Sequence, residues 1–139
     1  MAALGKALEL APGDAALHAG LGRIYLEQRD YAGAERELRE ALRLDPARLA
    51  ALKDLATAYY LGGNYPAALA ALDEVAKREA ATPGELFVRA LCYDKLQQPK
   101  AALDAYQKFL EADQNRNPDQ VWQAEQRIIV LKKTLERKR

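Results

Sequence analysis

The chain has 139 residues, half of them hydrophobic, and 21 Lys and Arg against 20 Asp and Glu leave a net charge of +1. That length can bury a core and is most simply one domain spanning 1–139, while the charge balance gives no electrostatic footprint for nucleic acid or an anionic membrane. No apolar run reaches the ~18 residues of a membrane span, the start lacks a basic leader with an apolar signal core, and the lone Cys92 cannot close an internal disulfide, so the chain reads as soluble, cytoplasmic ahead of periplasmic, with the compartment left open.

Taken in order, the first element is a helix over 2–11, "AALGKALELA", nearly uncharged and followed by Pro12. A second run, about 15–28, places Leu21, Gly22, Tyr25 and Gln28 on one face, and a third, about 31–44, carries Ala34, Leu38, Ala41 and Leu42 at helical spacing before Pro46 stops it. Asp30 stands at the N-cap of that third run, and Asn64 at the matching point further on. A shift of 34 residues brings Gly22 onto Ala56 and Ala90, Tyr25 onto Tyr59 and Tyr93, Ala34 onto Ala68 and Ala102, and Leu38 onto Leu72 and Tyr106. Pro46 looks back to Pro12, Ala41 to Ala7, and Leu38 to Leu4. A fixed period of this size means stacked helix pairs, none of which can bury its own face alone. Gly22 and Ala34 fall where the helices of a pair cross, and a minimal side chain there lets the backbones approach. The segments "TPGE" at 82–85 and "NPDQ" at 117–120 have the form of capping boxes with Pro83 and Pro118 at the first helical turn. The last helix carries Val121, Ala124, Ile128, Leu131 and Leu135 as one apolar stripe, with Trp122, Ile129 and Val130 off it.

The order Leu21-Gly22-x-x-Tyr25, Ala34, Leu38, Ala41, Pro46 resembles the tetratricopeptide repeat in period and residue choice. The resemblance implies an all-α, right-handed superhelical solenoid of antiparallel helix pairs. It divides into a half-repeat at 1–14, repeats at 15–48, 49–82 and 83–116, and a capping helix at 117–139. Departures from the family pattern are His18 for a large aromatic, Arg89 for Leu, and Ala80 and Gln114 for the terminal proline.

Chemistry is sparse. The only histidine, His18, occupies a core-facing helical position and reads as packing. Cys92 has no base placed near it and reads as a buried structural thiol. The loop "LGGN" at 61–64 lacks the Lys-Ser/Thr of a phosphate cradle. Glu35, Glu37 and Glu40 share a solvated face with Arg36, Arg39 and Arg43, where pairing three and four residues apart accounts for them. The basic tail "KKTLERKR" complements a helix C-terminus. The expectation is a protein that is not an enzyme and uses no cofactor and no metal.

What the resemblance implies instead is a groove that holds a peptide or helix of a partner, lined by the first helix of each repeat. By phase these are Ala16, Ala19, Arg23, Leu26 and Glu27; then Ala50, Lys53, Thr57, Tyr60 and Leu61; then Gly84, Phe87, Leu91, Asp94 and Lys95. The final helix would add Trp122, Gln126, Ile129 and Val130. The ligand set expected is Arg23, Leu26, Lys53, Thr57, Tyr60, Phe87, Leu91, Asp94, Lys95 and Trp122. Some of the apolar members could instead pack within the fold. The family's carboxylate clamp corresponds to Ala19, Arg23, Asp54, Gly84 and Val88, of which only Arg23 could serve, and Asp54 would repel a terminal carboxylate. A second expectation is self-association into a weak homodimer through the helix at 2–11 and the residues off the last stripe. RNA binding is disfavoured by the absence of a basic inner stripe.

Overall fold

The computed structural model describes residues 6, 7 and 10–138, and within them seven helices and no strand. They are α1 (Ala15–Glu27), α2 (Tyr31–Leu44), α3 (Leu49–Leu61), α4 (Tyr65–Arg78), α5 (Pro83–Lys95), α6 (Pro99–Asp113) and α7 (Pro118–Arg137). The chain divides into two compact units, 1–78 and 79–139, and the division falls between the second and third helix pairs. The expected contribution of Leu4 and Leu8 to a leading half-repeat lies outside the described residues. Leu10, within them, is exposed.

In the first unit α1 packs on α2, α2 on α3, and α3 on α4, with a lighter touch between α1 and α3. Small residues permit this. A methyl group built on Gly22 would come within 2.6 Å of the Leu38 Cγ and 3.3 Å of the Leu38 backbone nitrogen, so α1 lies closer to α2 than alanine allows. Ala34 and Ala68 are fully buried. The core gathers Ala34, Leu38, Ala51, Leu55 and Ala58, and Tyr25 lies against it with the Arg36 guanidinium 5.8 Å above its ring centroid.

In the second unit α5 packs on α6 and α6 on α7. Here the core is aromatic: Phe87 meets Phe109 with ring centroids 4.9 Å apart and Tyr106 edge-on at 6.2 Å. Val121, Ala124, Ile128 and Leu131 of α7 complete it, as the stripe at steps of three and four requires. Cys92 is fully buried, and burial pushes its thiol up to about 11 against the pull of Arg89, a setting for an inert sulfur.

The turn inside each helix pair is the same turn three times. Arg29, Gly63 and Gln97 all have a left-handed backbone, with φ of 63°, 84° and 56°. In each, the following N–H closes on a tyrosine carbonyl: Asp30 on Tyr25 at 2.9 Å, Asn64 on Tyr59 at 2.8 Å, and Gln98 on Tyr93 at 2.9 Å. The left-handed N–H itself reaches Leu26, Tyr60 or Asp94. This pair of bonds is a Schellman closure, which satisfies the last carbonyls of a helix and reverses the chain in three residues. Asp30 and Asn64 then cap the next helix, accepting from Gly33 at 2.9 Å and Ala67 at 3.3 Å.

Two expected caps part ways. Thr82 and Glu85 form the reciprocal capping box of α5. The segment at 117–120 does not, because the Asn117 side chain makes no bond to its own helix. Its amide nitrogen donates to the Asp113 carboxylate instead, as does the Asn117 backbone N–H at 2.9 Å. Gln114 and Asn115 are both left-handed, so the chain curls back and presents Asn117 to the fully buried Asp113. The hydrogen bonds from Asn117 hold the Asp113 carboxyl below its ordinary value. Gln114 stands where the family prefers proline, whose ring cannot adopt a positive φ.

Candidate functional site

The expected ligand residues fall on the first helices of their pairs and on α7, but with unequal freedom. In the first unit, Arg23 is exposed on α1, while Leu26 is half-buried against the core. On α3, Lys53 and Tyr60 are half-buried, the Tyr60 ring lies 6.0 Å from Tyr65, and the exposed Thr57 spends its hydroxyl on the Lys53 carbonyl at 3.2 Å. Burial pushes the neighbouring Asp54 carboxyl up, with Arg23 pulling it down and Glu27 adding to the rise. Arg23 and Glu27 of α1 thus both lie within electrostatic reach of Asp54 on α3.

In the second unit the structure corrects two expectations. Phe87 is only 5% exposed and sits among Tyr106 and Phe109, so its ring is core and not groove. Asp94 is already engaged: it accepts from Arg127 Nε and Nη2, both at 2.7 Å, and from the Tyr106 hydroxyl at 2.8 Å. Burial alone would raise its carboxyl, but these hydrogen bonds hold it below the ordinary value. That three-way contact ties α5, α6 and α7 together and leaves the carboxylate little capacity for a ligand.

What remains open lies around that pair. A cavity of about 510 Å³ is lined by Leu91, Lys95, Trp122, Gln123, Gln126 and Arg127, with Asp94 and Tyr106. Trp122 is 62% exposed, and Ile129 and Val130 on the same helix are 50% and 46% exposed. Asp94 is bonded to Arg127 and also lies within electrostatic reach of the exposed Lys95, so two cations face one carboxylate and this lining carries net positive charge. Tryptophan, lysine and two primary amides offer hydrogen-bond donors beside an apolar wall. Another depression, along α2, is lined by Ala32, Glu35, Arg36, Arg39, Glu40 and Arg43 and is a solvated charged face. Arg39 pairs with Glu35 and Arg43 with Glu40 there.

Sequence reasoning missed one contact on that same helix. Glu37 does not share the solvated ladder; its side chain is 15% exposed and meets His18 of α1 at 2.7 Å. His18 in turn is not packing alone, because its other ring nitrogen lies 2.8 Å from the Pro12 carbonyl oxygen. A spacing of 19 residues and a backbone partner leave no mark in side-chain periodicity.

Helix pairs repeated at one interval, each closed by the same turn, define a helical-repeat protein. The tetratricopeptide repeat model matches residues 2–48, 20–85 and 53–117, and the chain belongs to the tetratricopeptide repeat family. Among solved structures, MamA is 22% identical across 93% of this chain and 68% of its own, with a TM-score of 0.80. YrrB, a TPR protein with an unusual peptide-binding site, is 21% identical across 91% of this chain at a TM-score of 0.70, and the chain spans 62% of its length. The first TPR of Spaghetti (RPAP3), bound to the HSP90 peptide SRMEEVD, is 18% identical across 88% of this chain and 93% of its own, with a TM-score of 0.71. These likenesses concern the fold. No curated protein matches the chain.

Proposed function

We propose that this protein is an interaction scaffold that captures a peptide segment of a partner protein, and that the second unit holds one anchoring site for it. The observation that carries the reading is the cavity beside Trp122, where a large exposed indole borders Leu91 and the exposed Lys95 ammonium. A cleft of that size accepts an apolar side chain, and few aromatic and cationic anchors usually carry most of the affinity at such surfaces. The ligand chemistry that fits is an apolar residue next to an Asp or Glu, the first against Trp122 and Leu91, the second toward Lys95. Peptide capture in the neighbours YrrB and the RPAP3 repeat supports the mode. The residues available for a carboxylate clamp do not, since Ala19, Asp54, Gly84 and Val88 offer no cation. The first unit contributes a separate surface through Arg23, Lys53 and Tyr60.

The test is selection from a random displayed-peptide library on the whole chain, followed by calorimetry. Selected peptides should pair an apolar with an acidic residue, and Trp122→Ala or Lys95→Glu should weaken them at least about tenfold, equivalent to 1.4 kcal/mol. Helical content should be unchanged in both variants. Lys53→Glu combined with Tyr60→Ala reports on the first unit in the same way. Peptides whose affinity is indifferent to all of these changes would move the site off the first helices and α7.

A further inference from the structure

The contacts of His18 contain more than a packed ring. Its Nδ1 lies 2.7 Å from Glu37 Oε2 and its Nε2 lies 2.8 Å from the Pro12 carbonyl oxygen. Both partners are oxygens that only accept, a carboxylate and a backbone carbonyl. A neutral imidazole has one N–H to give. Whichever tautomer it took, one of the two oxygens would face a nitrogen lone pair at less than 3 Å. The cation has two N–H groups and satisfies both.

We propose that His18 is an imidazolium at neutral pH and acts as a clamp, pinning the segment before α1 to α2, and that the clamp loosens as the pH rises. Pro12 belongs to that segment, and Glu37 to the middle of α2, so the ring bridges across α1 itself. The charged groups around it favour the cation. From α2, Glu37 and Glu40 both face the ring; Arg36 lies 3.5 Å from Glu37 and Arg43 is bonded to Glu40, partly offsetting them. From the segment before α1, Asp14 is occupied in capping the Ala16 and Leu17 N–H groups, and Lys6 is exposed. Burial by itself would favour the neutral ring, but the bonds to Glu37 and Pro12 outweigh it and raise the titration above the ordinary histidine value. A raised folded-state value means the added stability is full below about pH 6.5 and disappears as the pH climbs through the folded titration point.

The chain has one histidine, so its ring signals identify themselves. Long-range proton–nitrogen correlation spectra of the uniformly labelled protein, taken between about pH 5 and 9, should show both ring nitrogens protonated at about pH 7. The midpoint should lie above about 6.5, and Glu37→Gln should move it downward. The carbonyl carbon of Pro12 should shift with the same midpoint. A ring that is neutral at pH 7, or a midpoint at or below the ordinary value, overturns the proposal. An imidazolium whose titration leaves the Pro12 carbon unmoved overturns the clamp, because the charge would then belong to the Glu37 pair alone. The decisive spectra are those of the unaltered protein, so they stand whether or not the variant folds.

Discussion

A single methyl group decides how close two helices of this chain can come. Gly22 lets α1 reach the Leu38 backbone, whereas the equivalent Ala56, Ala90 and Ala124 are accommodated, buried, in the later helices. Ala68 shows the same constraint from the other side of a pair, with no exposed surface left. Replacing it by leucine adds three carbons to a filled space, and the expected cost is ~1–3 kcal/mol from displaced neighbours. Urea titration of Ala68→Leu checks this, and a midpoint equal to the parent's would show that the position is not a close crossing. The positions of these small residues were legible in the sequence because they recur in phase. The inward turn of Phe87 was not. Its phase partners are Ala19, which packs against the first core while staying half-buried, and the half-buried Lys53, and only the third pair places Tyr106 and Phe109 where the others have aliphatic side chains. A ring then finds more surface to bury inside than on the groove face.

At the scale of the element, the turn that closes each helix pair is where local chemistry and required geometry disagree. Gly63 suits its left-handed backbone, but Arg29 and Gln97 occupy the same conformation with a Cβ. A left-handed L-residue costs roughly 1–2 kcal/mol, and glycine loses roughly 0.5–1 kcal/mol of that advantage to its freer unfolded chain. Gln97→Gly should therefore stabilise the second unit by roughly 0.5–1 kcal/mol, and Gly63→Ala should destabilise the first by a similar amount. Thermal melts of both variants give opposite shifts if the turn is as described; shifts of the same sign would contradict it. The sequence revealed this turn only through its consequences, the tyrosines at 25, 59 and 93 and the caps at 30 and 64. The failed box at 117–120 has the converse explanation. Pattern alone could not foresee two successive left-handed residues delivering a buried aspartate to compete for Asn117.

Across the whole molecule, the 34-residue phase that identified the repeats also located their helices to within a residue at most ends, as at α1 and α2. Side-chain periodicity reports which face turns inward, and repetition multiplies that signal. It carries far less about polar partners distant in sequence. The ties from Asp94 to Arg127, 33 residues apart, and from His18 to Glu37, 19 apart, join different helices and obey no period. The candidate site was accordingly half legible: Lys95 and Trp122 stand open as their phase suggests, while Phe87 and Asp94 are taken up by the fold. The division into two compact units, each with its own core, is likewise not distinguished by composition, since Pro83 and Gly84 just past it read as the start of α5, as Pro99 and Pro118 do for α6 and α7.

The sealed sulfur of Cys92 makes the opening of α5 its own clock. It is the only thiol in the chain, it has no exposed surface, and its thiolate is disfavoured, so a disulfide reagent can reach it only while α5 is transiently detached. When reclosing outpaces the chemistry, the labelling rate is the free-thiol rate multiplied by the fraction of time spent open. Labelling with a chromogenic disulfide at fixed pH should be slow in native buffer and accelerate smoothly with small additions of urea. Trp122→Ala, which removes a largely exposed ring, should leave it nearly unchanged, whereas Phe109→Ala should speed it more than a hundredfold, as expected for a loss of about 3–5 kcal/mol from the core on which α5 rests through Phe87. Labelling of the native protein at the speed of a free thiol would mean that this helix does not close over the sulfur.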